Sequence, residues 1–136
     1  MSRHARTFGS RRGSTLIESS LALMVFGILL AGIMELGVVG LASSSISFAA
    51  ERAARYAAVR GSGSGHPATV ADIRATALAY AVPLNSAAVT VTVTWTPNND
   101  PGSNVRVKVS YSFTSLRPIS SGPMMLQSTA QQMITQ

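Results

Sequence analysis

Every residue from Leu21 to Met34 is apolar or glycine, and the run continues to Leu41 with Glu35 as its only charge. About twenty such residues cross the hydrocarbon core of a bilayer as a helix. The pattern therefore predicts a membrane span at about 16–41. Residues 1–13 are polar and basic, so the positive-inside bias puts the N-terminus in the cytoplasm and everything after Leu41 across the membrane.

The next stretch, 42–60 (ASSSISFAAERAARYAAVR), becomes Ala-rich without a helix breaker. Ala50, Ala53, Ala54 and Ala57 fall on one face by the i, i+3, i+4, i+7 rule, a smooth stripe that another helix could approach closely. Glu51 lies four residues before Arg55, the favourable order for a helical ion pair. One continuous helix over 14–60 is expected, about 70 Å long at 1.5 Å per residue. A break at Ser43–Ser45 is the alternative.

GSGSGHP, 61–67, then supplies flexibility and a proline, and 61–68 reads as a hinge. In 69–82 (TVADIRATALAYAV), Val70, Ile73, Ala77 and Ala81 share a face, Thr69 before Asp72 is an N-cap signal, and Pro83 ends the segment. A short amphipathic helix fits. Val89, Val91, Val93 and Trp95 alternate with Thr90, Thr92 and Thr94, and apolar residues alternate with Arg106, Lys108, Ser110 and Ser112 across 105–113. PNNDPGSN between them is turn chemistry, so the pair forms a hairpin with one buried and one wet face. Ile73 and its neighbours would cover the apolar side, and 124–134, of mixed periodicity, is a candidate third strand. The fold class is α+β: a long membrane helix at 14–60, then a small α+β domain over 69–136.

Composition sharpens this picture. The chain has 136 residues and no cysteine, which leaves room for one small domain without disulfides. The net charge of +6 invites a nucleic-acid reading, but Arg3, Arg6, Arg11 and Arg12 all precede the apolar run. Beyond Gly13 seven basic residues face five acidic ones, and no basic stripe with stacking aromatics follows. No nucleic-acid partner is expected.

Catalysis has little to work with. His4 lies in the leader and His66 in the Gly/Ser stretch, no His–carboxylate cluster has metal spacing, and GSGSG lacks the phosphate-loop frame. Trp95, Tyr111 and Phe113 at period two read as core. No enzyme activity, cofactor, metal or small-molecule substrate is expected.

The distinctive chemistry sits at the membrane entrance. Glu18 lies five residues after Gly13 at the mouth of the apolar run. A charge inside a membrane helix costs about 2.5–3.5 kcal/mol on insertion scales, so something should offset it. A cut after Gly13 would give Ser14 a free amine one helical turn before Glu18, able to meet that carboxylate in the same chain or a neighbouring one. Snorkelling of Glu18 to water is the plain alternative. Gly27 and Ala31 form a small-xxx-small pair, with Gly32, Gly37 and Gly40 as further points of close approach. Glu35 near the far end either reaches the outer interface or pairs across subunits.

A basic leader ending in Gly, the form G|xxxxE and an immediate apolar helix resemble the class III signal of type IV pilins and pseudopilins, matched by Gly13, Ser14 and Glu18. GIMELG (32–37) and AAERAARYAAVRG (49–61) further resemble the TadE-like family of tight-adherence (Tad) pilus pseudopilins. The resemblance covers 11–61 well and the strands in outline. It implies a type IV pilin-like fold and a prepilin-peptidase substrate in the bacterial inner membrane, with a periplasmic C-terminal domain. Its partners would be other pilin subunits and the Tad assembly machinery, and it could enter an extracellular pilus serving adhesion. By position, Gly13 is the residue before the cut, Ser14 the new N-terminus and Glu18 the assembly carboxylate. Major Flp pilins are much shorter and usually carry Tyr after the acid, where this chain has Ser19; that implies a minor pilin or pseudopilin. Ser14 stands where other type IV pilins typically have Phe.

The rival reading is an ordinary signal peptide, with Gly40-Leu41-Ala42 as a small-x-small site and residues 43–136 released as a soluble periplasmic binding or adhesion domain. SRRGSTL also weakly echoes a twin-arginine signal. Glu35 inside the span and a helix continuing past Leu41 count against release.

Overall fold

The computed structural model of the chain describes residues 11–114 and 123–135, so positions 1–10 of the basic leader lie outside the described residues. One helix, α1, runs unbroken over Arg11–Val59. The chain divides into two units, Met1–Gly37 and Val38–Gln136.

In the first unit α1 is alone. Leu16, Ile17, Leu23, Phe26, Ile33 and Met34 are all exposed, with no side chain of the unit's described residues folded over them. A helix apolar all round, whose large side chains none of the described residues of its unit cover, calls for lipid or partner surface. From Gly13 onward α1 is long and apolar enough to cross a membrane.

The second unit is a helix pair and a three-stranded sheet around a core of small residues. The alternative break at Ser43–Ser45 does not occur. The Ser44 hydroxyl donates to Leu41 O at 2.9 Å and the Ser45 hydroxyl to Val82 O at 3.1 Å, so these side chains are satisfied without displacing helical bonds. Beyond them Ile46, Ala50, Ala53, Ala54 and Ala57 are buried in one cluster with Val105, Val107 and Val109. The alanine stripe expected to receive another helix is buried in one cluster with Ile73 and Ala77 of the second helix as well as with the valines of the sheet. Side chains of one carbon let the strands approach, and the valines fill the space that alanine leaves.

The Gly/Ser stretch expected as a hinge is held in place. It forms a 3-10 turn at Ser62–Ser64, with Ser62 N–H on Asn99 O at 2.9 Å, the Ser62 hydroxyl on Asp100 Oδ1 at 2.7 Å, and Ala68 N–H on Arg60 O at 2.8 Å. Helix α2 follows over Val70–Tyr80. Ile73 and Ala77 are buried as expected and Ala81 just beyond the helix joins them, but Val70, in the first turn, stays 49 % exposed.

Strands β1 (Val89–Thr96), β2 (Asn104–Phe113) and β3 (Met124–Met133) form an antiparallel sheet in the order β1-β2-β3. Val91 pairs with Val109, Val93 with Val107 and Trp95 with Val105, so the alternation read from sequence sets both register and buried face. Gly102, at φ +88°, makes the turn, a backbone region open to glycine at no steric cost. The third strand is real. In it Ser128, Ala130 and Gln132 stand opposite Val109, Val107 and Val105 on the core side, which is why its periodicity looked mixed. Ile134, just past β3, is fully buried, its amide bonded to Ser103 O at 2.8 Å. The fold is α+β, as expected from the sequence.

Candidate functional site

The residues singled out at the membrane entrance lie in the first two turns of α1. Arg11 to Glu18 is continuous helix, so the junction at Gly13 is not marked by any break in the backbone. Ser14 and Glu18 are four residues apart and therefore share a face, about 6 Å along the axis. Gly13, Ser14 and Glu18 are all exposed. The Ser20 hydroxyl donates to Leu16 O at 2.8 Å, one of the intrahelical bonds by which serine is accommodated in an apolar helix.

Further along the same unit, Gly27, Ala31 and Glu35 follow at intervals of four and form a second running face. Ala31 and Glu35 are half-buried and Gly27 is exposed. Around Gly13, Gly27, Gly32, Gly37 and Gly40 no atom of the described residues, apart from the adjoining residues and the local helix backbone, lies within 4 Å of where a Cβ would stand. The shallow places these glycines leave are thus unfilled by the described residues.

Glu51 and Arg55 belong to the second unit. Both are exposed on α1, and no ion pair joins them among the described residues. An exposed helical pair is worth only a few tenths of a kcal/mol, too little to hold two long side chains in one geometry.

Sequence reasoning passed over a different set. Phe48 and Tyr80 are each 45 % exposed and meet edge to face at 5.7 Å between centroids. The Arg52 guanidinium lies over both, 4.9 Å from the Phe48 ring and 5.8 Å from that of Tyr80. Arg60 covers Tyr56 at 4.7 Å, and its Nη1 donates to the Tyr56 hydroxyl at 3.0 Å. The 48/52 and 56/60 spacings of four were visible in the sequence; the arrival of Tyr80 from α2 was not.

At the start of α2 a complete capping box fixes the helix. Asp72 N–H donates to Thr69 Oγ1 at 3.2 Å, while Thr69 returns its own N–H and its hydroxyl to Asp72 Oδ2 at 3.1 and 2.7 Å. These bonds hold the Asp72 carboxyl below its ordinary range, with a smaller contribution from the Arg60 charge.

No curated protein and no solved structure gives a match to the chain. The family model described as TadE-like protein matches residues 13–55. That span begins at Gly13, takes in Glu18, Gly27, Ala31, Glu35 and Glu51, and ends at Arg55; α2 and the sheet lie beyond it. Residues 13–55, most of α1, are thus similar to the TadE-like proteins, the family that its G|xxxxE junction and helix blocks resemble.

Proposed function

We propose that this chain is a minor pilin or pseudopilin of a Tad-type pilus, a structural subunit rather than an enzyme. It is held by α1 in the inner membrane, N-terminus inside, and prepilin peptidase cuts it after Gly13 on the cytoplasmic side, which leaves the apolar helix in place. The observation that carries the reading is the entrance of α1: an exposed Gly13-Ser14 junction and an exposed Glu18 one turn on open an apolar stretch whose large side chains are exposed, inside the span that the family model matches. Cleavage creates a cation at Ser14, and the amine and the Glu18 carboxylate offset each other's cost in lipid, within one chain or between neighbours. Glu18 registers the subunit while the glycine positions admit close helix approach. The partners are other pilin subunits and the assembly machinery.

Release by an ordinary signal peptidase is less well supported. A cut before Ser43 would fall inside continuous helix, next to Ala42 and Ile46, both buried in the second unit.

The deciding experiment is intact-mass analysis of the protein isolated from its native membrane. A chain beginning at Ser14 is expected; one beginning at Ser43 would sink the proposal in favour of an exported soluble domain. A second test separates anchoring from assembly. Glu18→Ala should leave the membrane fraction unchanged and lower the amount recovered in sheared pilus fractions, and wild-type incorporation would remove the registering role.

A further inference from the structure

In the second unit Arg52, Arg55, Tyr56 and Val59 lie at i, i+3, i+4 and i+7 of α1, one stripe opposite the buried alanines, and Arg60 follows directly after the last helical residue. With Thr76 and Tyr80 of α2 they line a surface groove of about 290 Å³. Its three guanidiniums are spread over about 12 Å of helix axis at 1.5 Å per residue. Among the described residues no carboxylate forms an ion pair with any of them, and Arg60 acts on Asp72 only as a minor charge. Two are pre-oriented, Arg52 over Phe48 and Tyr80 and Arg60 over Tyr56.

We infer that this groove binds a short, extended acidic segment of a partner protein. A stretch of about four residues spans 12 Å in extended form, and carboxylates on such a stretch can each reach a guanidinium for charge-assisted bonds. The fit separates this ligand from its rivals. A single-stranded nucleic acid needs open ring faces for base stacking, and here guanidiniums already cover faces of Phe48, Tyr56 and Tyr80. A lipid phosphate engages one or two cations at a point and leaves the remaining length of the groove unused. A second copy of this chain is a poor donor of acid. Within its described second unit Asp72 is bound into the capping box and Asp100 is bonded by Ser62 and Asn98, leaving Glu51. The partner is therefore a different chain with clustered Asp or Glu. The inference involves only residues 48–80 and is independent of processing at Gly13.

The test uses the full chain in neutral detergent and a fluorescent peptide of four glutamates flanked by glycines, read by anisotropy at low salt. Binding should weaken as salt is added, and the glutamine counterpart should not bind. The R52Q/R55Q/R60Q variant should lose about tenfold or more in affinity, whereas R106Q/K108Q on the sheet's outer face should stay within about twofold, so that position and not net charge decides. Unchanged Trp95 emission certifies the fold. Should the triple variant unfold, Arg55→Gln alone, which touches neither ring pair, should still weaken binding by about threefold. No binding by the wild type, or equal loss in both variants, overturns the inference. So does tighter binding of oligothymidylate or glycerol phosphate that the same arginines control, since the groove would then be a phosphate site.

Discussion

Ile73 is the point at which α2 is fixed to the rest of the second unit, and its truncation is the most direct test of that packing. The side chain is 0 % exposed and belongs to the cluster formed by Ala50, Ala54, Val89 and Val107. Ile73→Ala removes three carbons, about 0.8 kcal/mol each by transfer, and leaves a cavity whose walls are helix and sheet backbone that cannot collapse far. The expected loss is about 3–4 kcal/mol, inside the usual range of about 2–5 for such changes. For a unit of this size that corresponds to a fall in Tm of roughly 12–32 °C. Trp95 is the only tryptophan and sits half-buried on β1, so its emission reports unfolding of this unit and not of the apolar first half of α1. Thermal unfolding of the full chain in neutral detergent, followed at Trp95, measures the effect. Val70→Ala on the same helix, half-exposed at the start, is the control and should cost under about 1 kcal/mol. A loss at Ile73 no larger than that of the control would refute the placement of α2 against the sheet.

Two further outcomes use the same assay. Ala54→Leu pushes a large side chain into a fully buried site between α1 and the sheet and should cost about 1–3 kcal/mol or more through overpacking; a neutral result would mean that the stripe faces outward after all. Because the Asp72 carboxyl is held below its ordinary range, its contribution is complete above the unfolded carboxylate value and is lost as pH falls through the lower folded one. Melting temperature should therefore drop in acid with a component that Asp72→Asn abolishes, and identical acid profiles for both proteins would deny that the cap depends on charge. Thr69→Ala should cost about 1 kcal/mol at neutral pH by removing the same cap.

Several features were legible before any fold was known. The period of two in β1 and β2 set their register because one face had to be buried, and the Thr69–Asp72 spacing announced the capping box because it depends only on neighbours along the chain. β3 was harder to read. Its core side carries Ser128 and Gln132 beside Leu126 and Ala130, so binary patterning is weak, and pairing with β2 decides what the residues alone leave open. Val70 shared a helical face with Ile73 but lies in the first turn, where the neighbouring elements do not reach it.

The sequence by itself determined the long apolar helix, the acid at its entrance and the basic flank, because transfer into lipid is a property of residues summed over a window. Only the tertiary structure decided what covers the alanine stripe. The same smooth surface suits a neighbouring helix or a sheet, and here it is buried in one cluster with both, Ile73 and Ala77 of α2 and the valines of the sheet. That choice leaves the opposite stripe, Arg52 to Arg60, facing outward, and brings Tyr80 to it from another helix. Contacts between residues distant along the chain depend on chain closure and packing volume, which no local pattern records.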